Sequence, residues 1–249
     1  IPVTELTKAE IGDLEPHLKP IYERGLFFEN AQHLLSPLSL LQRMGASVIA
    51  NGGQIITNKA LAIERVSADQ LKVQLQGESV LGHKVVVAAG AWSKTLAQQV
   101  GDTLPLDTEQ GYHLMYQGAE QLLNRPVGWA DVGFYMTPMN DGLRAAGTVE
   151  LAGLNNAVNP KRLKLIADTM KTLLPQLPSH DSEWTGFRPS MPDSMPVIGL
   201  SSKDTGVYYA FGHGHIGVTL SGITGKLISE MIDGKTPSMD IAAFSAQRF

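Results

Sequence analysis

The 249 residues carry 20 Lys and Arg against 24 Asp and Glu, a formal net charge of −4, and no cysteine. That balance leaves no concentration of basic side chains for a nucleic-acid backbone, and the missing thiols exclude disulfides, thiolate catalysis and cysteine-held zinc or iron–sulfur centres. With 43% hydrophobic and 18% charged residues the chain can bury a sizeable core as one large or two smaller domains, and no apolar run approaches the roughly 20 residues of a bilayer span. It opens on Ile1 rather than Met and shows no signal-peptide pattern, so a segment preceding Ile1 is expected.

Thr7-Lys8-Ala9-Glu10 has the spacing of a capping box and predicts a short helix ending before Pro16. Ser36 as N-cap and Pro37 at the first helical position predict a second helix, with Leu41, Met44, Val48 and Ile49 on one face and Gly52-Gly53 as the stop. The period then changes to two, predicting strands over 54–57, 62–66 and 71–75. Val85-Val86-Val87-Ala88-Ala89 reads as a strand buried on both faces and ending at Gly90. A helix from Ser93 to Val100 follows, and Gly101-Asp102 with Pro105 marks a crossing into another layer. Strands are predicted over 112–116, 134–137 and 143–148, the last two joined by the turn Asn140-Asp141-Gly142. Asn159 caps and Pro160 starts a helix striped by Leu163, Ile166, Met170, Leu173 and Leu174. The chain closes with a strand over 183–187, a Pro-rich loop through Pro196, a strand over 207–211, a glycine cluster and a helix from Val218 to Ile232.

The glycine cluster, Gly212-His213-Gly214-His215-Ile216-Gly217, is a literal G-x-G-x-x-G between a strand and a helix. The dinucleotide fingerprint also needs a second strand and an acidic ribose ligand about 20 residues on. After Ile232 the chain offers only Asp233-Gly234-Lys235-Thr236-Pro237 and a polar tail, so that reading fails. Two remain open: a flavin contact, with glycines letting the backbone approach a flat ring and a helix N-terminus facing its negative charge, or tight strand–helix packing. His213 and His215 form an H-x-H pair of the kind that can begin a zinc site, yet nothing ties His180 or Asp181 to it as a third ligand, and ordinary loop histidines are the other reading. Gly222-Ile223-Thr224-Gly225-Lys226 lacks the ending of a phosphate loop. Arg188, at a strand end before Pro189 and a stiff loop, is either a rigid fork for a carboxylate or one half of a surface ion pair.

Val85 to Ser93, then Arg188-Pro189 with Pro192-Asp193 and Pro196-Val197-Ile198-Gly199, then the stretch Gly212 to Leu220, in this order along the chain, resemble the FAD-dependent family of D-amino-acid dehydrogenase, glycine oxidase and sarcosine oxidase. The resemblance runs over almost the whole chain. It implies that Ala89, Gly90, Ala91 and Trp92 lie along FAD, that Leu61 approaches the adenine, and that Gly212, His213, Gly214, Ile216, Gly217, Val218 and Thr219 curl around the isoalloxazine. By the same likeness Arg188 holds the substrate carboxylate, and His215 sits near the ring where some relatives contact substrate. Tyr112 and Tyr135 are pocket-lining candidates or, equally, packed core tyrosines; Arg144 and Glu150 have no clear counterpart. The departure from the family is the strand, glycine-rich turn and helix that grip the FAD diphosphate, expected on a missing N-terminal segment of the same polypeptide.

The expected fold is α/β with α+β character. Residues 37–104 and 201–249 are expected to form what remains of a doubly wound FAD-binding domain, and 1–36 and 105–200 a β-rich substrate domain with an antiparallel sheet. The expected reaction is oxidative deamination of an amino acid, a D-amino acid first, by hydride transfer from Cα to flavin N5, giving a keto acid and ammonia, with a quinone or oxygen as electron acceptor. Oxidation of a secondary amine or glycine, or a non-catalytic binding module, are the alternatives; this chain alone is expected to be inactive. A cytoplasmic location is expected, with contact at the periphery of the inner membrane as its variant.

Overall fold

The computed structural model describes residues 2–151, 153–154 and 157–249. The capping box forms: Thr7 Oγ1 accepts the Glu10 N–H, the Glu10 carboxylate accepts the Thr7 N–H, and α1 (Lys8–Leu14) starts there. On either side lie two strands that the sequence pattern does not announce, β1 (Val3–Thr7) and β2 (Arg24–Phe28), paired antiparallel from Val3–Phe28 to Thr7–Arg24. The second helix, α2 (Pro37–Ala50), begins at Ser36, whose hydroxyl accepts the Ser39 N–H.

Residues 54–57, expected as a strand, are not one. Backbone groups need a ladder, and this one opens only at Ala60 opposite Leu75, in the antiparallel meander of β3 (Ala60–Ser67), β4 (Gln70–Leu75) and β5 (Ser79–Gly82). A second correction concerns the run 85–89. Its strand, β6, covers only Val85–Val87, and Val86 is 39% exposed rather than buried. The cause is pairing: β6 has one parallel neighbour for those three residues, after which the backbone turns away into Gly90. α3 (Ser93–Val100) then ends on Gly101 at φ +108°, the left-handed cap that glycine accepts without strain.

β7 (Asp107–Tyr116) begins five positions before the expected Tyr112 and is followed by β8 (Val127–Trp129), β9 (Phe134–Met139) and β10 (Gly142–Glu150). The turn between β9 and β10 requires its glycine: Gly142 has φ +133°, and a Cβ there would lie 2.4 Å from the Tyr116 carbonyl oxygen. α4 (Pro160–Leu173) starts from Asn159, whose side chain accepts the Lys161 N–H. β11 (Ser182–Ser190), β12 (Val197–Leu200), β13 (Val207–Phe211) and α5 (Gly217–Ile232) complete the chain.

The chain divides into two units. The first comprises Ile1–Ile55, Gly111–Glu150 and Ala157–Gly186, the second Ile56–Gln110, Leu151–Asn156 and Phe187–Phe249. A sheet of order β11-β7-β10-β9-β8 carries the first unit's core. On it Tyr112, Leu114, Phe134, Met136 and Leu143 pack against Leu163, Ile166, Met170 and Leu173 of α4. In the second unit the sheet β12-β13-β6 buries Val87, Val197, Val207, Tyr209 and Phe211 with Leu96 and Ala97 of α3, and α5 covers Ile198 and Tyr208 with Leu227 and Ile228.

These borders differ from 36/37, 104/105 and 200/201. Leu106, Met191 and Val197 share the second unit's core with Val207 and Phe211, so the surrounding residues go with that core rather than with the β-rich unit. A buried carboxylate helps close it: Asp102 accepts hydrogen bonds from Ser201, Ser202 and Tyr209, all in one stretch far along the chain from it.

Candidate functional site

Within the second unit, the end of β11, the start of β7, the turn after β6 and the turn before α5 come together. Ser190 bridges to His213 across the chain, joining β11 to the glycine turn. Gly212 and Gly214 in that turn hold φ of +82° and +53°, and Gly90 after β6 holds +55°. Their surroundings separate two purposes. A Cβ on Gly212 would lie 2.8 Å from Met191 Cγ, which is packing, whereas a Cβ on Gly90 would meet nothing within 4 Å and one on Gly214 only Ser190 Oγ at 3.7 Å. Open space in front of two left-handed glycines suits the approach of a flat group to bare backbone. The first turn of α5, at Gly217, Val218 and Thr219, has no side-chain cap, and the positive end of a 16-residue helix lies at the glycine turn. Trp92, 59% exposed, stands edge-on to Phe187 at 6.3 Å. These features fit the ring of a flavin.

The two turn histidines part company. His213 Nε2 lies 3.0 Å from Thr224 Oγ1, and burial lowers its pKa, which keeps the ring neutral at pH 7. His215 turns the other way, its Nε2 2.8 Å from Glu109 Oε2. They therefore have separate partners, which is not how an H-x-H metal pair is used. Burial raises the Glu109 pKa, but contacts with His215 and Ser190 and the charge of Arg188 outweigh it and leave the carboxyl below the usual range. Glu109 is therefore ionised at neutral pH. Arg188, half-buried on β11, stands in its field.

Glu109 and Ser190 were not among the residues the sequence singled out. One signal could have found Glu109: the alternation of Tyr112, Leu114 and Tyr116, carried back along the strand, puts Glu109 with His113 and Met115 on the side away from the core.

The remaining candidates are dispersed. Ala89 packs on the second unit's core and Ala91 is buried, so their backbone rather than their side chains is available to a ligand. Leu61, on β3, is exposed, and its carbonyl accepts from Gln99 Nε2 at 2.9 Å, which fastens α3 to that strand. Ile216 and Val218 are exposed beside the glycine turn. Tyr112 and Tyr135 belong to the first unit. Tyr112 is a core residue whose hydroxyl donates to Glu150 Oε2 at 2.6 Å, and Glu150 also accepts from Asn159 Nδ2 at 3.2 Å. This gives Glu150 a structural task at the start of α4. Tyr135 is 63% exposed on β9, opposite Ala146. Arg144, on β10, is half-buried, and desolvation lowers its pKa against the opposing pull of Asp141.

The open turns at Gly90 and Gly214 and the start of α5 are compatible with a flavin-binding fold. Residues 1–231 match the family described as FAD dependent oxidoreductase, and the chain belongs to that family, whose cofactor is FAD. It is 37% identical over 250 residues to a D-amino-acid oxidase of Bradyrhizobium diazoefficiens, covering 98% of this chain and 59% of that protein. It is 25% identical over 250 residues to a glycine oxidase of Geobacillus kaustophilus, covering 99% and 66%. The crystal structure of glycine oxidase from Geobacillus kaustophilus superimposes with a TM-score of 0.90 at 24% identity over 100% of this chain and 67% of that one. The chain thus spans less than two thirds of the length of either curated relative. None of the helices among the described residues is long and apolar enough to cross a membrane.

Proposed function

We propose that these residues hold the substrate and the flavin ring in an FAD-dependent enzyme that oxidises an amino acid, a D-amino acid in the first instance, to a keto acid and ammonia. The observation that carries the reading is the cluster of Arg188, Glu109 and His215 beside the open turn at Gly214. Arg188 offers a planar, permanently charged fork to the substrate carboxylate and so orients Cα–H. Gly90 and Gly214 let the ring lie on backbone, and the α5 N-terminus stabilises the negative charge that reduction brings. FAD, when bound, supplies the two-electron acceptor; this chain's part is positioning and electrostatics. Among the described residues no strand follows α5, so the G-x-G-x-x-G before it opens no strand–helix–strand unit and is not assigned to the diphosphate. The enzyme's final electron acceptor is a quinone or oxygen.

A second reading has its own support in the likeness to glycine oxidase: the substrate is glycine or a secondary amine such as sarcosine. Anaerobic bleaching of the flavin absorbance in the FAD-loaded enzyme separates the two. D-Alanine and larger D-amino acids reduce the flavin faster than glycine, sarcosine or the L-enantiomers on the first reading, and the order reverses for glycine and sarcosine on the second. A protein that binds FAD yet is bleached by none of them is a non-catalytic module, and both readings fail.

A further inference from the structure

The contact of His215 with Glu109 joins two residues 106 positions apart and engages Nε2, and no hydrogen bond of the second ring nitrogen is found among the described residues. An ionised carboxylate only accepts hydrogen bonds, so the Nε2 that lies 2.8 Å from Glu109 Oε2 carries a proton. In the neutral ring the lone pair is then on Nδ1, on the other side of an imidazole whose side chain is 58% exposed. Among the described residues Glu109 from β7 touches the ring and Arg188 from β11 acts on the Glu109 carboxylate; His213, on the same turn, is engaged with Thr224.

An amino acid meets this site as a zwitterion. Its ammonium nitrogen has no lone pair, so Cα–H cannot leave as hydride until one N–H proton has gone. We propose that His215 accepts this proton at Nδ1 and that Glu109 is the positioning residue that selects the tautomer and stabilises the imidazolium formed. The inference rests on the reading of Arg188 as the carboxylate clamp, which brings the ammonium group to the same side. The balance is complete: one proton passes from nitrogen to Nδ1, the freed lone pair forms the C=N bond, and the Cα–H bond breaks with its electron pair passing to the oxidised flavin. The substrate is oxidised by two electrons and the flavin reduced by two. Water then hydrolyses the imine to keto acid and ammonia. The arrangement is that of a base oriented by a carboxylate on its second nitrogen.

The test compares His215→Gln and Glu109→Gln with wild type in the FAD-loaded enzyme, following kcat/KM for a D-amino acid from pH 6.5 upward. General-base loss predicts a deficit on the order of a hundredfold for His215→Gln at neutral pH. For Glu109→Gln the deficit is smaller, about tenfold, because the amide still touches the ring but no longer selects one tautomer. Both deficits shrink as the pH rises to where the free amino acid sheds its own ammonium proton, since the base is then unnecessary. A deficit of the same size at every pH in both variants shows a packing role and overturns the proposal. Propionate, a carboxylate without an amine, supplies a readout apart from turnover: its perturbation of the flavin spectrum persists in both variants with a Kd within about threefold of wild type. Loss of propionate binding in His215→Gln makes the residue a carboxylate contact and also overturns it. Arg188→Ala is the separate arm. If it keeps propionate binding, the clamp reading fails, and the pH dependence still judges His215.

Discussion

Replacing Arg188 by alanine tests the core of the functional reading. The substitution deletes a half-buried guanidinium at the end of β11 and removes a positive charge that helps keep the Glu109 carboxylate ionised. Truncating one partner of a desolvated charged pair costs about 2–5 kcal/mol. Taking about 3 kcal/mol, at about 1.4 kcal/mol per decade, kcat/KM falls roughly 150-fold. Lysine returns the charge but not the two-pronged geometry and recovers only part. The assay is kcat/KM for a D-amino acid and for the amine of the same side chain lacking the carboxylate, with the flavin-to-protein absorbance ratio confirming that FAD remains. Wild type prefers the amino acid strongly; Arg188→Ala does not. A variant that keeps the preference refutes the clamp, as does a loss of only about 1 kcal/mol, the ceiling for an exposed ion pair.

Gly214→Val forces a β-branched residue to φ +53° and fills the space in front of the turn, so the protein still folds but loses FAD on gel filtration; retained yellow colour with normal turnover removes this turn from the flavin site. Leu143→Ala in the first unit's core, at a position with no exposure, costs about 3 kcal/mol, read as a lowered urea midpoint. The His213 pKa is lowered by burial, so the unfolded chain binds the proton more readily than the folded one. Stability is therefore complete above about pH 6.5, the unfolded value, and declines as the pH falls through it toward the lower folded value. His213→Gln flattens that decline in Tm between pH 7.5 and 5.5. Asp102 is depressed by its hydroxyl and amide donors, against burial, and adds stability that is present above the unfolded value near 4 and lost as the pH falls through the folded one; Asp102→Asn removes this acid-side dependence.

Local codes decided much of this molecule. The capping box at Thr7 and Glu10, the Ser36–Pro37 and Asn159–Pro160 starts, and the buried stripe from Leu163 to Leu173 depend on residues within a few positions of each other and could be placed by spacing alone. So could β13, the start of α3 and the glycine turn before α5, whereas the family and its cofactor came from the resemblance of these stretches to known flavoenzymes. What spacing could not supply was pairing. Whether residues 54–57 formed a strand, where β6 stopped and how far back β7 reached depended on backbone partners elsewhere in the chain. The same limit applied to the site. Arg188 and His215 were conspicuous in local motifs, but Glu109 and Ser190 sit in no motif and made their contacts only when β7 and β11 brought them to the turn. A hydrogen bond between residues 106 positions apart is set by the tertiary structure, because no local period or cap connects the two ends.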